Sequence, residues 1–257
     1  MENRTFLVTR SSEGNAIERR RLESYGAKVV ELPSIKIMPP SSWKPLDRAI
    51  SKLEQFDWVV FTSANGVRMF FKRLRQEDPR LLARLRTDTG RPRFACVGPA
   101  TRRSLEVQGF RVSLQPKEFL TSKLGMDLAR SMDIAGKKIL LARAEVANKQ
   151  LSKILRASHA VVTEAPTYRT QIRASKLDSG VLDKVSDVTL TSPSTVEGLV
   201  KSVSSKEITS RGIRVHCIGP VTAKSARANG LEVETIAKVN TIDGLIMTMV
   251  RQTRKGL

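Results

Sequence analysis

The sequence predicts an α/β chain of two similar, doubly wound parallel-sheet units. The chain is written twice, each copy repeats a strand-turn-helix grammar, and 257 residues suffice for about two cores. The first copy opens on LVTR and runs to YGAKVVELP, and the second has LLAR and SHAVVTEAP. Arg10, Val29, Glu31 and Pro33 thus map onto Arg143, Val162, Glu164 and Pro166, each 133 positions later. VVFTSANGV then pairs with VTLTSPSTV at an offset of 129, aligning Thr62 with Thr191 and Ser63 with Ser192. FACVGPAT…QGFRV pairs with VHCIGPVT…NGLEV at 121, aligning Cys96, Gly98, Pro99, Thr101, Gly109 and Val112 with Cys217, Gly219, Pro220, Thr222, Gly230 and Val233. Falling offsets mark loops shortened in the second copy, and the shared order makes chance a poor explanation. Each piece is a short apolar run, a turn with Ser, Thr or Gly-Pro, a helical stretch, then Gly and another apolar run, which is the unit of a parallel sheet. Pro99 and Pro220 fall where the first helical residue is expected, since fixed φ suits that position and the missing N–H is not needed. Gly26, Gly109 and Gly230 read as left-handed helix terminators, with His159 in the place of Gly26.

Lys and Arg number 45 against 25 Asp and Glu, a net charge of +20. With 40% hydrophobic and 27% charged residues the chain is globular rather than disordered. Positive charge attracts nucleic acid, anionic membrane or a polyanionic small molecule, and composition alone does not choose. Residues 67–93 carry nine basic side chains against Glu77, Asp78 and Asp88 and read as an exposed helix pair. Only Phe70 and Phe71 there offer rings for base stacking, so nucleic acid is not the expected partner. No run of about 18 apolar residues exists, and MENRTFLVTR lacks a signal-peptide core, so neither a membrane partner nor export is expected. Cys96 and Cys217 form no metal or disulfide spacing and fit a reducing compartment. The expected location is the cytoplasm, or a plastid if a transit peptide has been removed.

Open parallel sheets bind ligands beyond the carboxyl ends of their strands. Those ends carry Thr62-Ser63, Gly98 to Thr101, Thr191 to Thr195 and Gly219 to Thr222, each at a helix start able to receive a carboxylate or phosphate. Ser63 and Ser192 read equally well as plain N-caps. Arg10 and Arg143 follow matching strands and are candidate carboxylate clamps, with an ion pair to a neighbouring Glu as the alternative. Lys224 is expected in the first turn of its helix, against the dipole. Tyr168 follows Pro166 on the connection TEAPTYRT, as Ile35 follows Pro33, and reads as a weak general acid facing an interdomain cleft or as hinge packing. No GxGxxG, GxxxxGK[ST], HExxH or GxSxG occurs, and His159 and His216 are the only imidazoles. No metal site and no cofactor are expected.

The ordered set LVTR, ELPSIKI, DWVVFTSANGV, CVGPAT, LLAR, EAPTYRT, LTSPSTV, CIGPVT and TIDGLIMTMV resembles the uroporphyrinogen-III synthases, over nearly the whole chain. The resemblance implies that the chain crosses twice between domains: residues 1–35 with 171–257 form one, 38–165 the other, and 34–40 and 165–171 pair as a two-stranded linker. It implies a cyclising hydro-lyase, monomeric and cofactor-independent. Its substrate is hydroxymethylbilane, a linear tetrapyrrole with eight carboxylates, closed with inversion of ring D. It makes Tyr168 the residue assisting departure of the hydroxyl. It places Thr62, Ser63, Thr101, Ser192, Ser194, Thr195, Thr222 and Lys224 among carboxylate-binding loops, beside the arginine clamps Arg10 and Arg143. Ala64-Asn65-Gly66 stand where relatives often carry a basic residue. A non-enzymatic hinged protein binding a small polyanion is the alternative from a different class.

Overall fold

In the computed structural model the chain is described over residues 1–87, 91–131 and 134–255. Along it run β1 (Thr5–Val8), α1 (Ser12–Glu23), β2 (Lys28–Glu31), β3 (Ile35–Met38), α2 (Lys44–Ile50), β4 (Trp58–Phe61), α3 (Ala64–Glu77), α4 (Pro79–Thr87), β5 (Arg93–Cys96), α5 (Pro99–Val107) and β6 (Val112–Leu114). There follow α6 (Thr121–Ser131), β7 (Lys138–Ala144), α7 (Gln150–Ala157), β8 (Val161–Ile172), α8 (Ser179–Leu182), β9 (Asp187–Leu190), α9 (Pro193–Ser202), α10 (Ser205–Ser210), β10 (Arg214–Cys217), α11 (Pro220–Ala228), β11 (Val233–Ile236) and α12 (Ile242–Lys255).

The chain divides into two compact units, Met1–Lys36 with Gln171–Leu257, and Ile37–Thr170. One sheet has the order β11-β10-β9-β1-β2 and the other β3-β8-β7-β4-β5-β6. The ladders β1–β2, β1–β9, β9–β10, β10–β11, β4–β5, β4–β7, β5–β6 and β7–β8 are all parallel. Parallel strands are covered on both faces, so their residues are buried at successive positions rather than at alternate ones. In β4 all four residues are buried: Val59 and Phe61 enter one core cluster, Trp58 and Val60 the opposite one. In β1, Leu7 likewise faces one cluster while Phe6 and Val8 face the other.

The basic 67–93 stretch is indeed two helices, but not an exposed pair; its Asp88 lies outside the described residues. Val67, Phe70, Phe71, Leu74, Leu81, Leu82 and Leu85 are buried at helical spacing, leaving the charged side chains on the opposite face. Phe70 and Phe71 have no exposed surface and pack with Phe61, Phe94 and Phe110, so they offer nothing for a base to stack on. Cys96 and Cys217 are free thiols buried in matching strands, and burial pushes them up to about 11 and about 12. Gly26 ends α1 at φ 78°, and His159 takes the same left-handed conformation at φ 60° after α7. An L side chain there carries a steric cost that glycine avoids.

Asp187, fully buried at the start of β9, holds three strands together. It accepts from Arg4 Nε at 2.9 Å, from Arg214 Nε and Nη2 at 2.9 and 3.0 Å, from His216 Nε2 at 2.7 Å and from Ser186 Oγ at 2.7 Å. Burial acts to raise its carboxyl, but the bonds from His216, Arg4, Arg214 and Ser186 outweigh it and hold the group far below the usual carboxylate range. Its stabilising contribution is therefore present above the ordinary carboxylate pKa and is lost as pH falls.

Two measurements check these assignments. In urea unfolding, Asp187→Asn should cost about 1.5–3 kcal/mol, the size of a charged hydrogen bond, because Arg4 and Arg214 lose their buried counter-charge. His159→Gly should instead raise stability by roughly 1 kcal/mol, by relieving the left-handed backbone.

Candidate functional site

Four helices, α3, α5, α9 and α11, begin directly after the carboxyl ends of β4, β5, β9 and β10, and Thr62, Ser63, Thr101, Ser192, Ser194, Thr195 and Thr222 lie at those starts. In the unit of residues 37–170, Ser63 is the extended N-cap of α3, and its Oγ accepts the Gly66 N–H at 3.1 Å. The same Oγ shares a hydrogen bond of 3.0 Å with the Tyr168 hydroxyl. A Cβ on Gly66 would lie 3.2 Å from the Ala142 carbonyl, so only a bare residue brings the first turn of α3 this close to the end of β7.

Tyr168 lies within β8 rather than on a free connection. The ladder of β7 and β8 pairs Arg143 with Pro166 and then Ala144 with Tyr168, so Thr167 is an extra residue and the register shifts there. Such a bulge re-aims the following side chain. Thr167 Oγ1 donates to the Arg143 carbonyl at 3.2 Å, and the Tyr168 carbonyl accepts from Glu145 N–H at 2.8 Å. Only 8% of Tyr168 is exposed. Burial raises its phenol above the ordinary value and the Ser63 bond offsets part of this, so the group is a neutral proton carrier at physiological pH. Thr62 is half-buried beside Ser63, whereas Thr101 is buried in the first turn of α5 behind its N-cap Gly98.

In the other unit, Ser192 and Thr195 form a capping box at α9. The Thr195 hydroxyl accepts the Thr191 and Ser192 N–H groups, both at 3.1 Å, and donates to the Ser192 carbonyl at 2.8 Å. Fully buried and saturated, it shapes the loop without meeting solvent. Ser192 and Ser194 are half-exposed, with their hydroxyls 2.9 Å apart. Thr222 is buried in α11. Lys224, expected in the first turn, is exposed at the fifth residue of α11, where the opposing dipole is weaker. His216 sits beside Asp187, not in these loops.

The two matching arginines differ. Arg143 is buried, donates from Nη1 to the Asn148 carbonyl at 2.8 Å and is ion-paired with Glu164. Burial acts to raise Glu164, but Arg143, Ser152 and Arg156 outweigh it and hold its carboxyl below the usual range. The ion-pair alternative therefore describes Arg143, which is not a free clamp. In the other copy Glu31 is taken by Arg19. The Arg10 guanidinium is half-buried and has no hydrogen bond or ion pair among the described residues; only its backbone N–H is bound, to Asn15 Oδ1 at 2.6 Å. It lies across Gly14, where an added Cβ would meet Arg10 Nε at 3.1 Å. Sequence reasoning missed Asn15 and Glu18. The available signal was that Gly14, Glu18 and Leu22 recur every fourth residue, the spacing of a buried stripe.

Among the described residues no three His, Cys, Asp or Glu side chains are grouped to hold a metal ion, and no helix is long and apolar enough to cross a membrane. The family model described as uroporphyrinogen-III synthase HemD matches residues 18–247. The chain belongs to the uroporphyrinogen-III synthase family. It is 28% identical to the uroporphyrinogen-III synthase of Synechococcus elongatus, over 98% of this chain and 96% of that protein. It is 30% identical to the uroporphyrinogen-III synthase of Chlorobaculum parvum, over 91% and 92%. In fold it is similar to the crystal structure of uroporphyrinogen-III synthetase from Helicobacter pylori, with TM-score 0.63 at 17% identity, covering 97% of this chain and 99% of that one. The family match takes in every candidate residue except Arg10, which precedes it.

The contrast between the arginines is open to test by unfolding in urea. Arg143→Gln should lower stability by about 1.5–3 kcal/mol, the size of a charged buried hydrogen bond. Arg10→Gln should cost less than Arg143→Gln, since the half-buried Arg10 guanidinium makes no hydrogen bond or ion pair among the described residues.

Proposed function

We propose that this chain cyclises hydroxymethylbilane to uroporphyrinogen III, with Tyr168 assisting departure of the terminal hydroxyl. Loss of that hydroxyl as water leaves an azafulvene cation, stabilised by the pyrrole nitrogen. The ring D carbon already carrying its substituent attacks the cation, forming a spiro-pyrrolenine that fragments and recombines in the inverted sense. Losing a proton restores the pyrrole. The balance is one water out, with the proton given at the start returned at the end. Because the linear tetrapyrrole also closes unaided without inversion, shape and carboxylate anchoring matter more than proton transfer.

The observation that carries the role of Tyr168 is its 3.0 Å hydrogen bond to the Ser63 hydroxyl at the start of α3. A hydroxyl can reverse its part, so Ser63 accepts from the phenol before transfer and donates to the phenolate after it, while Oγ continues to accept from Gly66 N–H. The helix dipole favours that transient negative charge. Thr62, Ser192, Ser194, Lys224 and Arg10 receive substrate carboxylates, as does Ser63 by its backbone N–H. Thr101, Thr195 and Thr222 support those loops from within. Arg143, bound to Glu164, fixes the strand end that precedes the bulge. The reading takes the protein as a monomer acting in the cytoplasm or a plastid, independent of nucleic acid and membrane.

Incubation with enzymatically generated hydroxymethylbilane should give the type III isomer faster than spontaneous closure. Type I product alone, at the uncatalysed rate, would refute the reading. Tyr168→Phe should lower kcat on the order of 10²-fold, as for loss of a general acid, and leave KM nearly unchanged. Equal kinetics in the two proteins would remove Tyr168 from the mechanism.

A further inference from the structure

Among the described residues, the side-chain atoms buried without a hydrogen-bond partner are Asn15 Nδ2, both carboxyl oxygens of Glu18, Thr189 Oγ1 and His216 Nδ1. Their positions are related. Asn15 and Glu18 share the buried face of α1, and Thr189 pairs in register with Val8 on one side and His216 on the other. Buried polar atoms nearly always have partners, so orphans grouped on one sheet face mark a place kept for something other than stability.

Glu18 is the unusual member, a carboxyl of zero exposure whose oxygens find no donor. The charge acting on it is that of Arg10, and Thr189 from β9 faces it with a hydroxyl. Several other charged groups near α1 are engaged. Glu31 of β2 is paired with Arg19, Asp243 of α12 with Arg21, and on the shared sheet face Asp187 and His216 are bound to each other. Arg10 lies over Gly14, one helical turn before Glu18: a Cβ added there would sit 3.1 Å from its Nε and 3.3 Å from its Cζ.

Resting on the function proposed above, we infer that Glu18 is a positioning residue for Arg10: its carboxylate and a substrate carboxylate compete for one guanidinium, so binding drives a proton onto Glu18. The physics is reciprocal. An ionised Glu18 draws Arg10 inward. A substrate carboxylate that takes Arg10 cancels the field which had allowed Glu18 to ionise, and the buried group, already pushed upward by desolvation, picks up a proton from water. A side chain at Gly14 would crowd Arg10 at 3.0–3.3 Å and push it aside. At lower pH Glu18 is neutral and Arg10 is available; as pH rises through its ionisation the internal carboxylate competes and substrate binds less well.

The test is KM for hydroxymethylbilane measured from the ordinary carboxylate pKa upward, over the pH range in which the protein stays folded. The intact protein should show KM rising by up to about tenfold per pH unit, the limit for linkage to one proton. Glu18→Gln should flatten that slope, and Arg10→Gln should flatten it as well, at a higher KM. A flat profile in the intact protein, or an unchanged slope in Glu18→Gln, overturns the inference. Should Glu18→Gln fold poorly, calorimetry on the intact protein decides: uroporphyrin III, the oxidised octacarboxylate macrocycle, is titrated in two buffers of different ionisation enthalpy. Uptake of a proton on binding is expected, and none refutes the coupling. Formation of the type III isomer is read separately in the same assays, so failure of the coupling is distinguishable from failure of the proposed function.

Discussion

A parallel strand can be followed by its neighbour only through a crossover that carries the chain back along the sheet. In both units this makes helices start at one edge, beyond the carboxyl ends of the strands. Unpaired N–H groups and positive dipole ends collect there whether or not a ligand is present. Serine and threonine at these starts have a double nature, since a cap and an anion receptor need the same atoms. Thr195 has all its capacity spent on the backbone, while Ser63 caps α3 and still reaches Tyr168. The difference follows from burial, not from residue type.

Local features were legible in the sequence. Pro99 and Pro220 begin their helices, Gly26 and His159 end theirs with positive φ, and the apolar runs are strands buried on both faces. Their signals are short-range, because turn geometry and helix capping act over a few residues. The pairing of β1 with β9, with Phe6 opposite Asp187, left no trace in periodicity, because hydrophobic patterning specifies which face is buried and not which strand lies alongside. The residues alone gave two consecutive copies; the two crossings entered through the family resemblance. At the candidate site, types and approximate places were readable, but the state of each group was not. Glu18 was invisible because a charged residue on a polar helix reads as solvated, and only tertiary burial shows otherwise.

Duplication left Arg10 and Arg143 at matching positions and then gave them different surroundings. Glu164 remained beside Arg143 as an internal counter-charge, whereas Glu31 turned to Arg19 and Arg10 was left with a buried carboxyl deeper in the helix. One member of the pair is part of the framework, and the guanidinium of the other has no hydrogen bond or ion pair among the described residues.

The two thiols carry a practical consequence. Cys96 and Cys217 lie in equivalent strands of separate units, fully enclosed and with their thiolates strongly disfavoured. Alkylating reagents attack the thiolate, so modification must wait until the surrounding strand opens. Each half of the molecule therefore carries a built-in clock of its own fluctuations, and the ratio of the two labelling rates measures which half loosens first.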